Sequence, residues 1–255
     1  MTDSNPFTFE NLSSGTRYTV KVRAYCDEYS QSDWSNERIF ATACEALTEL
    51  PWNENFDSYT GTNSYETPAD YPNDELPVCW QFLNRSDNSD TYPQVFISSE
   101  SDFYVSGNSL FFKSSSSTPL YAVLPAFEEE IATLKLSFFY RNEGTSEHNG
   151  TLFVGYMTNP ADATTFTDVY TCGQATAMLP VNEVLFTGAP DGSYIAFKYE
   201  GGLSDNYFLS IDNVEVEAIP FCTTPTALEC TATTSTKATF SWTNDAATKP
   251  FGRFA

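Results

Sequence analysis

The feature that most constrains this chain is the rhythm of its hydrophobic residues. In "RYTVKVRAYC" (17–26), Tyr18, Val20, Val22 and Ala24 alternate with Arg17, Thr19, Lys21 and Arg23. A period of two places one set on each face of an extended strand, whereas a helix needs a period near 3.6. Short segments of this kind recur along the whole sequence. They include "NERIFAT" (36–42), "PVCWQFL" (77–83), "PQVFISS" (93–99), "NSLFFKS" (108–114), "LYAVLPAF" (120–127) and "ATLKLSFFYR" (132–141). The series continues through "GTLFVGYMT" (150–158), "FTDVYTC" (166–172), "NEVLFTG" (182–188), "SYIAFKYE" (193–200), "NYFLSIDNVEVEAI" (206–219) and "KATFSWT" (237–243). Polar clusters with Gly, Asn, Asp or Pro close them, as in "YVSGN", "GAPDGS" and "EGGLSDN". Many short strands punctuated in this way imply an all-β sandwich or barrel. A single helical turn is expected at most, at "TNPADATT" (158–165).

Charge narrows the partners. Lys and Arg number 12 against 34 Asp and Glu, a net charge of −22 over 255 residues. Such a surface repels phosphate backbones and anionic lipid headgroups, which argues against nucleic acid and membrane surfaces as ligands. The apolar runs are far shorter than a bilayer span requires. Six scattered cysteines without a CxxC pair disfavour zinc and point to disulfides in an oxidising compartment. The N-terminal "MTDSNPFTFE" has no signal-peptide pattern, so the expectation is an extracellular or cell-surface chain whose export signal lies upstream.

Catalytic motifs such as GxSxG, HExxH and GxxxxGK[ST] are absent from the sequence. The one histidine, His148, lies in the polar stretch "NEGTSEHNGT" and reads as a solvated loop residue. Glu128, Glu129 and Glu130 are adjacent on a turn, with no enforced separation across a glycosidic bond. The expectation is that the chain is not an enzyme.

Motifs carry a resemblance further. "LSSGTRYTVKVRAYC…YSQSDWSNERIFAT" resembles the closing strands of a fibronectin type III domain, with Leu12, Gly15, Thr16, Tyr18, Ser32, Trp34 and Ser35 in the family's places. "TPTALECTATTSTKATFSWTN" (224–244) is similar to the opening strands of another, with Trp242 as its core tryptophan. Between them, "LPWNENFDSY", "LPVCWQF", "GNSLFF", "LFVGYMTNPADATTFTDV" and "FLSIDNVEVE" resemble the jelly-roll of the MAM-like and cleaved-adhesin families of secreted bacterial proteins. The resemblance implies a jelly-roll β-sandwich over 45–219, flanked by incomplete fibronectin type III pieces at 1–44 and 220–255. The chain would then be a piece of a longer multidomain protein.

In those families the module is non-catalytic and serves adhesion or recognition, so the implied partner is a surface protein or glycan. The alternatives are a carbohydrate-binding or accessory module of a secreted glycoside hydrolase or peptidase, or a jelly-roll glycosidase. The resemblance also implies a structural calcium ion on Asp57 of the opening strand and Asp212 of the closing one. Two carboxylates plus carbonyls suit calcium's six to eight oxygens. Exposed aromatics could stack a sugar, and Tyr92, Tyr104 and Tyr207 sit in polar loops, although core or turn packing explains each as well. The tryptophans Trp34, Trp52, Trp80 and Trp242 all have structural places in these families.

A hairpin reading of 17–42 places the residue facing Cys26 near 37. Cys44 would then lie roughly 23 Å away, outside disulfide reach. The MAM pattern implies a Cys44–Cys79 bridge instead, with Cys79–Cys172 as the alternative. Cys26, Cys222 and Cys230, in the cut pieces, would be free.

Overall fold

The computed structural model describes residues 6–27, 30–62, 76–86, 93–114, 118–143, 150–201, 207–220 and 226–243. The chain forms two units, Met1–Ala218 and Ile219–Ala255. The first contains both the 1–44 segment and the sandwich. The strands of the 1–44 segment are β1 (Arg17–Val20), β2 (Tyr25–Asp27), β3 (Ser30–Gln31) and β4 (Arg38–Ala41). The sandwich comprises β5 (Trp52–Glu54), β6 (Gln81–Leu83), β7 (Gln94–Ser98), β8 (Ser109–Ser114), β9 (Leu120–Val123) and β10 (Leu134–Glu143). It continues with β11 (Thr151–Met157), β12 (Phe166–Thr171), β13 (Ala175–Leu185), β14 (Tyr194–Glu200) and β15 (Tyr207–Ala218). The second unit holds β16 (Thr226–Thr233) and β17 (Ala238–Thr243). The fold is all-β.

Two antiparallel sheets make the sandwich. One runs β13–β10–β15–β8–β7, with β5 pairing β15 beyond the end of β8, and the other runs β12–β11–β14–β9–β6. The alternation seen in the sequence decides which side chains meet between them. Leu134, Leu136, Phe138 and Tyr140 of β10 and Leu209, Ile211, Val214 and Val216 of β15 face Ile195, Phe197 and Tyr199 of β14 in one core. Trp80 is its hub, stacked at 6.4 Å on both Phe82 and Phe197 and edge-on to Phe56 at 5.8 Å. Burial of each such side chain stabilises the fold by about 1.5–3 kcal/mol. The stretch 158–165 forms one 3-10 turn, Ala163–Thr165, whose N-cap Asp162 accepts the Thr164 N–H. The Thr164 hydroxyl donates to the same carboxylate at 2.7 Å, and chiefly through that bond, with the N–H second, Asp162 is held below its ordinary range.

In the 1–44 segment β1 pairs with β4, and Tyr18 stacks on Phe40 at 5.7 Å. Beyond β1 the structure corrects the hairpin geometry. Tyr25 pairs with Gln31 and Asp27 with Ser30, so Cys26 faces residues 30–31 rather than one near 37. The reason is that the polar stretch continues the pairing instead of looping out. Ser32 N–H donates to Ala24 O at 2.9 Å and Ser35 N–H to Val22 O at 2.8 Å. Trp34 is exposed and carries the Arg23 guanidinium 4.4 Å over its ring.

Cys44 and Cys79 are joined in a disulfide. Cys172 is free and buried, which rules out the Cys79–Cys172 alternative, and Cys230 is free and exposed. The Cys26 side chain and Cys222 lie outside the described residues. Gly15 sits against the bridge in a left-handed conformation (φ +56°), where a Cβ would stand 2.5 Å from Cys79 Sγ. Its N–H donates to Ala43 O at 3.0 Å, pinning the loop beside the cystine. In the second unit β16 and β17 form a hairpin closed by a turn in which Thr234 Oγ1 accepts from Lys237 N–H at 3.0 Å.

Candidate ligand groove and metal site

Both candidate acids meet the 99–108 loop. β5 stops at Glu54 because Phe56 adopts φ +59° and buries its ring completely. An Asx turn follows, in which Asp57 N–H donates to Asn55 Oδ1 at 3.2 Å. The Glu54 carboxylate accepts from Phe56 N–H at 2.8 Å and from Tyr59 O–H at 3.1 Å, and burial holds its pKa above the usual glutamate range. Asp57 then faces the loop, accepting Asn108 N–H at 2.8 Å on one oxygen and the Asn55 amide at 3.0 Å on the other. Gly107 (φ +71°) makes this approach possible, since a Cβ there would fall 1.9 Å from Asp57 Oδ1.

Asp212 belongs to β15 where its partner changes. β8 pairs with Tyr207–Ile211 and β5 with Val214–Val216, so Asp212 and Asn213 fall between them. The side chain is fully buried and accepts Val105 N–H at 2.7 Å and Asn213 N–H at 2.6 Å. Burial, with a smaller contribution from the Asp57 charge, pushes its pKa up to about 6 against the opposing pull of the backbone N–H bonds. The Asp57 charge adds to the cost of charging Asp212 beside the same loop, a cost a divalent cation would relieve, and hard oxygen ligands suit calcium. Among the described residues no cluster of three His, Cys, Asp or Glu side chains supplements them. Any remaining ligands would be carbonyls or water.

The outer face of the six-stranded sheet is covered at one end and open at the other. At the covered end Phe103 of the loop packs on Phe96, Phe111 and Phe208. Arg141 holds it there, with its guanidinium 4.4 Å over the Phe103 ring and Nη1 donating to Asp102 O at 2.6 Å. At the open end lies a groove of about 490 Å3. Asn53 and Asn55 form one wall, Pro180 and Asn182 the other, with Ser137, Phe139, Asn213 and Glu215 between them. Asn53, Glu215 and Ser137 are direct cross-strand partners, one polar row over β5, β15 and β10. Among the described residues, no Lys, Arg or His lines the groove. It adjoins the acids through Asn55, bonded to Asp57, and through Asn213, the neighbour of Asp212.

Of the tyrosines proposed as sugar platforms, Tyr104 does not line this groove. Tyr104 is half-buried in the 99–108 loop. Tyr207 pairs through its backbone with Ser114, and its side chain, like Tyr92 and His148, lies outside the described residues. Trp52 and Trp80 are core residues, 6.3 Å apart. The groove asparagines, Phe139 and Glu215 went unnoticed in the sequence because each looks like an ordinary outward strand residue. The Asn-rich "WNEN" and the "DN" of "SIDN" were the available signal.

No protein-family model matches the chain, and no curated protein does. Among solved structures, the K1 cleaved adhesin domain of Lys-gingipain from Porphyromonas gingivalis W83 is similar at 17% identity and a TM-score of 0.45, over 68% of this chain and 100% of that one. The CBM22-1 xylan-binding domain of Paenibacillus barcinonensis Xyn10C is similar at 11% identity and a TM-score of 0.42, over 69% and 98%. The C-terminal family 22 carbohydrate-binding module of Clostridium thermocellum Xyn10B is similar at 10% identity and a TM-score of 0.38, over 66% and 91%.

Proposed function

We propose that this chain is a non-catalytic recognition module of an exported surface protein, which holds a surface ligand, protein or glycan, in the groove across β5, β15, β10 and β13. The observation that carries the reading is the groove itself: a concave, polar patch on a part of the outer sheet face that the 99–108 loop leaves open. Neutral amides and one carboxylate there can grip a ligand by hydrogen bonds. The 1–44 and 220–255 segments are fibronectin-type pieces that belong to neighbouring domains of the parent chain. A structural calcium ion on Asp57 and Asp212 would fix the 99–108 loop and, through Asn55 and Asn213, the adjoining groove wall.

The test is retention of the labelled full chain on immobilised extracellular-matrix proteins and on a glycan array, beside an Asn53→Ala/Asn182→Ala variant. The expected result is retention on at least one surface, lost in the variant at unchanged melting temperature, with the bound ligand recovered intact. Retention indifferent to the groove variant, or release of a shortened ligand, overturns the proposal.

A further inference from the structure

The groove is built by two register offsets that face each other across one strand. From Ser137 to Phe139, β10 advances two residues, while its partner β15 advances three, from Glu215 to Asp212. On the other side β10 advances two residues from Leu136 to Phe138, while β13 advances three, from Val184 to Val181. Each flanking strand therefore carries one extra residue at the same level of β10. A bulge bends its strand, sharpens the local twist and turns a side chain off the regular alternation. Here the extra residues fall at Asn213, which takes a left-handed φ of +48°, and at Asn182-Glu183 between the inward Val181 and Val184. Two bulges opposed across β10 make the hollow, and both asparagines line it.

The chemistry of the lining is specific. Among the described residues the side chains of Asn53, Ser137, Asn182 and Asn213 have no hydrogen-bond partner in the fold, and Glu215 has no ion pair. An asparagine amide offers two donors and an acceptor, a serine hydroxyl one donor with acceptor capacity, and a carboxylate acceptors alone. Together they match a ligand that presents many groups acting as donor and acceptor at once, as hydroxyls do. Phe139 is half-buried, has no ring partner among the described residues, and stands between Asp212 and Pro180 in register. Its free face suits the C–H face of a pyranose ring. The absence of a cation from the lining, the Glu215 carboxylate and the net charge of −22 disfavour uronic, sialic or sulfated sugars. A protein partner would call for a deep apolar anchor pocket, and the groove's apolar contacts are limited to Phe138, Phe139, Pro180 and Val181.

We infer that the twin-bulge groove is a binding site for an uncharged, hydroxyl-rich oligosaccharide, with Phe139 as the stacking platform and Asn53, Asn182, Asn213, Ser137 and Glu215 as the hydroxyl-binding set. The inference rests on the recognition reading above and names its ligand class.

The experiment titrates the 15N-labelled full chain with neutral hexasaccharides (xylo-, cello-, manno- and galacto-series) and with oligogalacturonate and hyaluronan. It follows the side-chain amide resonances of Asn53, Asn182 and Asn213 alongside calorimetry. The expected result is saturable shifts of those resonances with at least one neutral series and none with the acidic sugars. Phe139→Ala should weaken binding by roughly tenfold, the loss expected for a stacked ring. Asn53→Ala/Asn182→Ala, which leaves the core untouched, should weaken it comparably, so the result survives if Phe139→Ala folds poorly. Groove-dependent retention of a protein, with no neutral sugar bound, overturns the saccharide inference and leaves the recognition reading standing. No groove-dependent retention of any ligand overturns both, and preferential binding of the acidic sugars overturns the charge argument and the ligand class with it.

Discussion

Removing the Cys44–Cys79 bridge tests how the N-terminal segment is tied to the sandwich. The two cysteines are 35 residues apart in sequence, and the loop-closure entropy of a ring that size corresponds to about 4 kcal/mol at 25 °C. The first unit spans Met1–Ala218, and for a domain of that length 1 kcal/mol moves the melting temperature by about 2–4 °C. Cys44→Ala/Cys79→Ala should therefore melt roughly 8–16 °C lower, and dithiothreitol should lower the native protein similarly, since Cys44 is exposed. Gly15→Ala adds a second leg. Its left-handed φ costs about 1–2 kcal/mol for any residue with a Cβ. In the bridged protein that Cβ also collides with Cys79 Sγ, so the change should cost more there than in the Cys44→Ala/Cys79→Ala background. Thermal melts of the four proteins, followed by tryptophan fluorescence, supply the cycle. A shift below about 2 °C on losing both sulfurs would refute the loop-closure argument, and a Gly15→Ala cost equal in both backgrounds would refute the packing one.

Trp80→Ala empties the hub between Phe56, Phe82 and Phe197, and urea titration should show a loss of about 3–5 kcal/mol; a loss under 1 kcal/mol would mean the sheets pack without it. In calcium-free buffer Asp212 should make stability fall as pH rises. Its folded pKa of about 6 lies above the ordinary 3.8, so its contribution is full below 3.8 and about 3 kcal/mol is lost as pH climbs through 6. Asp212→Asn should flatten that slope, and added calcium should raise the melting temperature of the native chain at pH 7; an unchanged slope in the variant, or no calcium effect, counts against the respective reading. Burial pushes the Cys172 thiol up to about 12, so iodoacetamide at pH 8 should label the exposed Cys230 and spare Cys172 until urea is added, as peptide mass spectrometry would report. Equal labelling of the two without urea would contradict the burial of Cys172.

What the sequence by itself determined is the class of fold and its strands. The period-two runs at 132–141 and 206–219 became β10 and β15 with Leu134, Leu136, Phe138, Leu209 and Ile211 inward, because alternation is a local property that any strand must express. Asp57 and Asp212 were legible through family motifs, and the structure brings both onto the 99–108 loop. The groove belongs to tertiary structure alone. Its walls come from 53–55, 137–139, 180–182 and 213–215, four stretches that pairing brings together, and its hollow comes from two bulges. A bulge is an offset between two strands rather than a property of either. Asn182 therefore carries no mark in sequence, and Asn213 none beyond its place in "SIDN", until β10 pairs with a neighbour on each side and leaves each with one residue too many.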